Sequence, residues 1–60
     1  MNLIDLLYHN VRIKCDNGLV IEGYVDMHTS ALDNDPDPES IGISHYELFK
    51  DDIIEAPILD

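Results

Sequence analysis

Leucines at helical spacing open the chain. Leu3, Leu6 and Leu7 fall on one face of a helix, which indicates a short amphipathic segment. Asn2 is suited to cap its N-terminus, and Asp5 complements the partial positive charge of the first turn. We therefore predict a helix of about two turns within residues 1–10, stable only when packed on the rest of the protein.

The apolar period then changes from that of a helix to that of a strand. Residues 11–15 alternate apolar with cationic side chains, as in a strand with one buried face. Asn17-Gly18 follows, and this pair between two alternating runs is a strong hairpin signal. The returning strand is predicted over residues 19–28.

The predicted second strand has a glycine in its interior. Gly23 offers no side chain for packing, so it marks a bend or a close backbone approach, and such bends curl small sheets into barrels. Alternation predicts that Leu19, Ile21, Gly23, Val25 and Met27 face inward, whereas Glu22, Tyr24, Asp26 and His28 face outward.

The rest of the chain reads as an acidic loop and three short strands. Residues 33–39 combine four carboxylates with two prolines, which excludes a helix or strand interior. Alternation returns at residues 40–43 and 46–49, joined by a tight turn. A last strand is predicted over residues 53–59, with the missing amide of Pro57 expected on a sheet edge.

This element order predicts a single all-β (mainly β) domain over residues 1–60. The stretch from Val11 to Val25, with Gly18 and Gly23 five positions apart, resembles the first motif of the Sm-like (LSM) proteins, in particular short acidic domains of Gram-positive bacteria and their phages. The resemblance implies a small five-stranded Sm-like, SH3-like barrel with a short N-terminal helix. It also implies rings in which the fourth strand of one subunit pairs with the fifth strand of the next.

The residues that bind RNA in that family differ here. The Sm-like uridine pocket uses an aspartate and an asparagine, at positions that correspond to Thr29 and Asp33. Before its last strand the family carries an Arg-Gly or a Lys-His pair, of which Lys50 is the one remnant here. Tyr24 is expected to point outward, where it could stack on a base. These four residues are the candidate RNA contacts.

The charge of the chain bears on its partners. Thirteen acidic residues stand against three basic ones in 60 residues, for a net charge of −10. Such a balance disfavours RNA and anionic membranes, since both are bound largely by cations. The chain shows no secretion or membrane-spanning pattern, and its one cysteine cannot form an internal disulfide, so we expect a cytoplasmic protein.

Neither metal binding nor catalysis is predicted. The alternating carboxylates of residues 33–39 superficially resemble a calcium loop, but Pro38 and Ser44 stand where that loop needs glycine and glutamate. The three histidines are spread over three elements, and Cys15 is expected to be buried and inert. We also expect a chain this small to lack a pocket of about 300 Å³. No cofactor and no enzymatic activity are therefore predicted.

The leading functional hypothesis is a non-enzymatic binding module that associates with copies of itself through edge strands. One alternative is an Sm-type RNA-binding ring, in which several subunits gather their few cations. A second alternative is an acidic mimic of nucleic acid that occupies a basic groove on another protein. The residues expected along the oligomer edges are Tyr46, Leu48, Phe49, Ile54, Ala56 and Ile58.

Overall fold

The computed structural model describes residues 2–60, and in them the chain is mainly β. A 3₁₀ helix precedes two longer strands, and a second 3₁₀ helix separates the last two of three short strands. The bounds are Leu3–Leu6 for the first 3₁₀ helix, Asn10–Cys15 (β1), Val20–Thr29 (β2), Ser40–Ile43 (β3), Tyr46–Phe49 (β4), Lys50–Asp52 for the second 3₁₀ helix, and Ile53–Glu55 (β5).

The five strands form one antiparallel sheet in the order β4-β3-β2-β1-β5. The sheet curls into a half-barrel around a core to which residues 2–60 contribute ten buried side chains. Within residues 2–60 no ladder joins β4 to β5, so these two strands are the ends of the sheet. The core residues are Leu3, Leu6, Val11, Ile13, Cys15, Val25, Ile41, Ile43, Leu48 and Ile53.

Two of the predicted turn features are confirmed. Gly18 has a φ of +89°, a left-handed conformation that glycine adopts without steric cost, and it closes the β1–β2 hairpin. The tight turn between β3 and β4 has no glycine, and Ser44 takes the left-handed conformation instead, with a φ of +56°.

Gly23 is required by a close approach between strands. A Cβ atom at this position would lie 2.9 Å from Cγ2 of Ile43, closer than such atoms pack. Ile43 is buried on β3, so the methyl group occupies the space that a side chain on Gly23 would need. The glycine therefore lets β3 pack its isoleucine against the backbone of β2.

The predicted faces of β2 are wrong from Met27 onward. Val25 pairs with Ile43, but Met27 pairs with Gly42, so the register shifts at Asp26 in a β-bulge. A bulge inserts one extra residue and reverses the alternation that follows it. Met27 is consequently 61% exposed rather than buried, and His28 shares the inner side with its partner Ile41. Leu19, also predicted inward, lies exposed before the strand begins.

The N-terminal segment packs as predicted but is shorter than two turns. Leu3 and Leu6 are buried, whereas the 3₁₀ helix spans only four residues and the side chain of Asn2 makes no capping hydrogen bond. The helix ends early because the Tyr8 N–H donates to the Val25 carbonyl, which draws the chain into the sheet. Met1, the first residue of the predicted 1–10 segment, lies outside the described residues.

The C-terminal residues follow β1 along its whole length. The Arg12 N–H donates to the Pro57 carbonyl, and the Leu59 N–H donates to the Asn10 carbonyl. Pro57 therefore faces β1, and its missing amide removes a hydrogen bond to β1 rather than one on the free edge. The predicted placement of that amide on the outer edge is wrong, and the regular part of the strand ends at Glu55.

We predict that Gly23→Ala lowers the free energy of unfolding by about 1–3 kcal/mol, because the added methyl group overpacks against Ile43. In an Ile43→Leu background, which has no branch at Cβ, the same substitution should cost clearly less. Chemical denaturation of the four proteins of this double-mutant cycle measures the coupling. Additive effects would show that the contact with Ile43 is not the reason for the glycine.

Candidate functional site

Two free strand edges are the first candidate binding surfaces. The Lys50 N–H donates to the Glu39 carbonyl next to β3, so residues 48 and 50 face β3 while the backbones of Glu47 and Phe49 face away. Leu48, one of the predicted edge residues, packs its side chain into the core. The free edge of β4 is thus formed by Glu47 and Phe49, with Tyr46 exposed at its start.

The second free edge is formed by the C-terminal segment, residues 53–60. The backbone groups of Pro57 and Leu59 face β1. Because backbone direction alternates along an extended strand, those of Ala56 and Ile58 face away from it. Ile54 and Ile58 are about half exposed along this edge. The predicted residues Ile54, Ala56 and Ile58 therefore lie on one continuous edge.

The four candidate RNA contacts lie on different parts of the sheet. Tyr24 is half exposed and pairs with Asn10, which confirms its predicted outward direction. Thr29 ends the same strand, five residues or roughly 16 Å further along it, and pairs with Ser40 on β3. Asp33 lies in the loop that follows, where its N–H donates to the Ser30 hydroxyl.

Lys50, the fourth candidate, belongs to a small cluster of charges. Its ammonium lies 3.7 Å from the carboxylate of Glu39, whose other oxygen lies 2.5 Å from Nε2 of His28. The hydrogen bond from His28 is the largest of the effects that hold the pKa of the Glu39 carboxyl below its ordinary value, and Lys50 adds to it. The cluster fixes the end of the acidic loop against β2 and the second 3₁₀ helix.

Cys15 is buried, as predicted. Burial raises the pKa of its thiol, and the negative charges of Asp52 and Asp16 raise that pKa further. A thiol with a raised pKa is a poor nucleophile near neutral pH. Among residues 2–60 no three His, Cys, Asp or Glu side chains converge as metal ligands do.

An open groove of about 380 Å³ lies on the outer face of β2, β3 and β4. The expectation that so small a chain has no such pocket is therefore wrong. Met27, Gly42 and Glu47 are register partners across the three strands, and Gly42 forms the floor. We call this site the Gly42 groove; its lining includes Asp26, Met27, Ser40, Gly42, Tyr46 and Glu47.

The Gly42 groove follows from the bulge in β2. Asp26 and Met27 both lie beside Gly42, since a Cβ atom on that glycine would meet Met27 Cβ at 3.1 Å and Asp26 Oδ1 at 3.7 Å. On the opposite side, the buried Ser40 hydroxyl donates to Oε2 of Glu47 at 2.8 Å. Two carboxylates thus flank a floor without a side chain. Gly42 between two buried isoleucines was the sequence signal for this site.

Comparison of the chain with protein-family models, with curated proteins and with solved structures gives no match. In the part of the chain that the structure describes, no helix is both long and apolar enough to cross a membrane.

We predict that Glu39→Gln lowers stability at neutral pH and that this loss shrinks as the pH falls. A carboxyl with a lowered pKa contributes stability above its unfolded pKa of about 4.3, and the contribution disappears as the folded protein takes up the proton. Thermal unfolding of both proteins between neutral and acidic pH tests this. Glu55→Gln, at an exposed carboxylate, is the control. A Glu39→Gln deficit independent of pH would contradict the assignment.

Proposed function

We propose that the protein is a non-enzymatic binding module, an Sm-like small barrel that associates with copies of itself through its two free edges. The observation that carries the proposal is the placement of these edges at opposite ends of one curled sheet. The β4 edge of one copy is available to the 53–60 edge of the next. Such head-to-tail contacts are heterologous, and they form a ring when the rotation between copies closes.

The composition of the edges supports strand pairing. Each edge has unpaired backbone groups on alternate residues, Glu47 and Phe49 on β4, and Ala56 and Ile58 on the C-terminal segment. Tyr46, Ile54 and Ile58 add exposed apolar surface beside them. The short first helix and thin core leave a 60-residue chain marginal in stability, and pairing with a second copy would bury more apolar area.

The orientation of Pro57 removes an obstacle to this pairing. Since the proline faces β1, the outer edge keeps the N–H groups of Ala56 and Ile58. A matched pair of variants follows. Ala56→Pro deletes an outward donor, whereas Pro57→Ala restores an inward one and leaves the outer edge unchanged.

We expect Ala56→Pro to weaken self-association at least about tenfold and Pro57→Ala to leave it unchanged. Multi-angle light scattering over a range of protein concentrations measures the mass, and circular dichroism confirms that each variant is folded. A monomeric mass for the unaltered protein at high micromolar concentration would remove the proposal. Equal effects of the two variants on self-association would show that the interface does not use the outer edge of residues 53–60.

RNA receives less support as the ligand. Arg12 lies 3.0 Å from the Glu22 carboxylate and Lys50 is paired with Glu39, so two of the three cations already have anionic partners in the same chain. Phosphate binding would have to break these pairs, and the surrounding acidic residues repel a polyanion.

We therefore predict no electrophoretic shift of uridine-rich RNA by micromolar protein at low salt, where phosphate-driven binding is strongest. Glu22→Gln with Glu39→Gln, which frees both cations, serves as the comparison. A shift by the unaltered protein that weakens as salt is added would favour the RNA-binding ring instead.

A further inference from the structure

In the part of the chain that the structure describes, two carboxylates without a Lys or Arg partner flank the Gly42 groove. Asp26 and Glu47 stand on either side of Gly42, and neither has a Lys or Arg partner within residues 2–60. Arg12 and Lys50 are paired elsewhere, and Lys14 lies on β1, beyond β2 from the groove. Of the lining residues that the structure describes, none is a lysine or an arginine.

One of these carboxylates is held in place by buried groups. Ser40 is 1% exposed and its hydroxyl donates to Oε2 of Glu47, while the Asn34 side-chain amide donates to the same hydroxyl at 3.4 Å. The Asn34 amide also donates to the Pro38 carbonyl, which fixes the acidic loop to this network. Oε1 of Glu47 has no hydrogen-bond partner among the described residues. The carboxylate is oriented, and one of its oxygens remains available to a ligand.

The groove also offers apolar surface. Met27 is 61% exposed although it lies in the middle of a sheet face, and Tyr46 lines the groove near the β3–β4 turn. A flexible thioether beside a side-chain-free floor suits the methylene stem of a long cationic side chain. The planar fork of a guanidinium can hydrogen-bond two acceptor groups at once, which a compact ammonium does less well.

We propose that the Gly42 groove binds an arginine side chain presented by a partner polypeptide. The stem lies on Met27 over Gly42, and the guanidinium donates to the carboxylates of Asp26 and Glu47. The charge complementarity extends beyond the groove, because residues 33–60 carry nine acidic residues and one basic residue. The groove shares Tyr46 and Glu47 with the β4 edge, but the two proposals use different groups: arginine binding uses the Glu47 side chain on the face of the sheet, and strand pairing uses the Glu47 backbone at its edge.

The test is an NMR titration of the ¹⁵N-labelled protein with the blocked peptide acetyl-Gly-Arg-Gly-amide. The amide signals of Gly42, Met27 and Ser44 should move in a saturable manner at millimolar peptide. The same peptide with citrulline, which is nearly isosteric with arginine but uncharged, should leave them in place. Absence of saturable shifts up to tens of millimolar, or equal shifts with citrulline, would overturn the proposal.

Variants separate a specific site from general attraction to an acidic protein. Glu47→Gln keeps an oxygen that accepts from Ser40 and removes the charge, and we expect it to weaken binding at least about tenfold, or about 1.4 kcal/mol. Asp26→Asn should act in the same direction. Asp51→Asn, in the second 3₁₀ helix, removes one exposed charge outside the groove and should leave the affinity unchanged.

An equal loss in Asp51→Asn and Asp26→Asn would show that net charge alone attracts the peptide, and this would overturn the site. The titration is read at individual amides, so it does not depend on oligomeric state. A monomeric protein that binds arginine would remove the proposed self-association and leave the groove standing; a ring that ignores arginine would do the reverse.

Discussion

The packing of β2 against both of its neighbours is the constraint on which the rest of the structure depends. At Val25 the backbone exchanges hydrogen bonds with the N-terminal segment, while the buried side chain meets Ile43 across β3. β2 can pack against both the N-terminal segment and β3 because Gly23 leaves space for Ile43 and because the bulge at Asp26 bends the strand. Curl, core and outer groove all follow from these few residues.

The sequence predicted the order of the elements better than their faces. Strand positions follow from alternation and from turn residues such as Gly18, which are local properties. The bulge in β2 depends on the pairing with β3, some fifteen residues further along the chain. No local sequence pattern predicts its position. For this reason Met27 was placed inside, and the groove that it borders with Gly42 was missed.

Tertiary pairing also explains the other differences. The apolar spacing of the first segment was sufficient to identify its buried leucines, but the hydrogen bond from Tyr8 to β2 shortens the helix. Pro57 was correctly expected to lack a ladder bond, and which side of the strand lost that bond depended on the register with β1. In both cases the local sequence identifies the property of the segment, namely buried leucines or a missing amide. The hydrogen bonds that it makes in the folded protein depend on a strand distant in the sequence.

β1 pairs with one segment that is close in the sequence and with another that is distant, and this affects the order in which the protein folds. On one side β1 pairs with β2 across a short turn, and on the other it pairs with residues about forty positions later, down to the hydrogen bond between Asn10 and the Asp60 carboxylate. Closing the second contact costs more chain entropy than closing the first, because the loop that it closes is longer. We therefore infer that the β1–β2 hairpin forms first and that residues 53–60 dock on the other side of β1 afterwards, so the second sheet edge is completed late in folding.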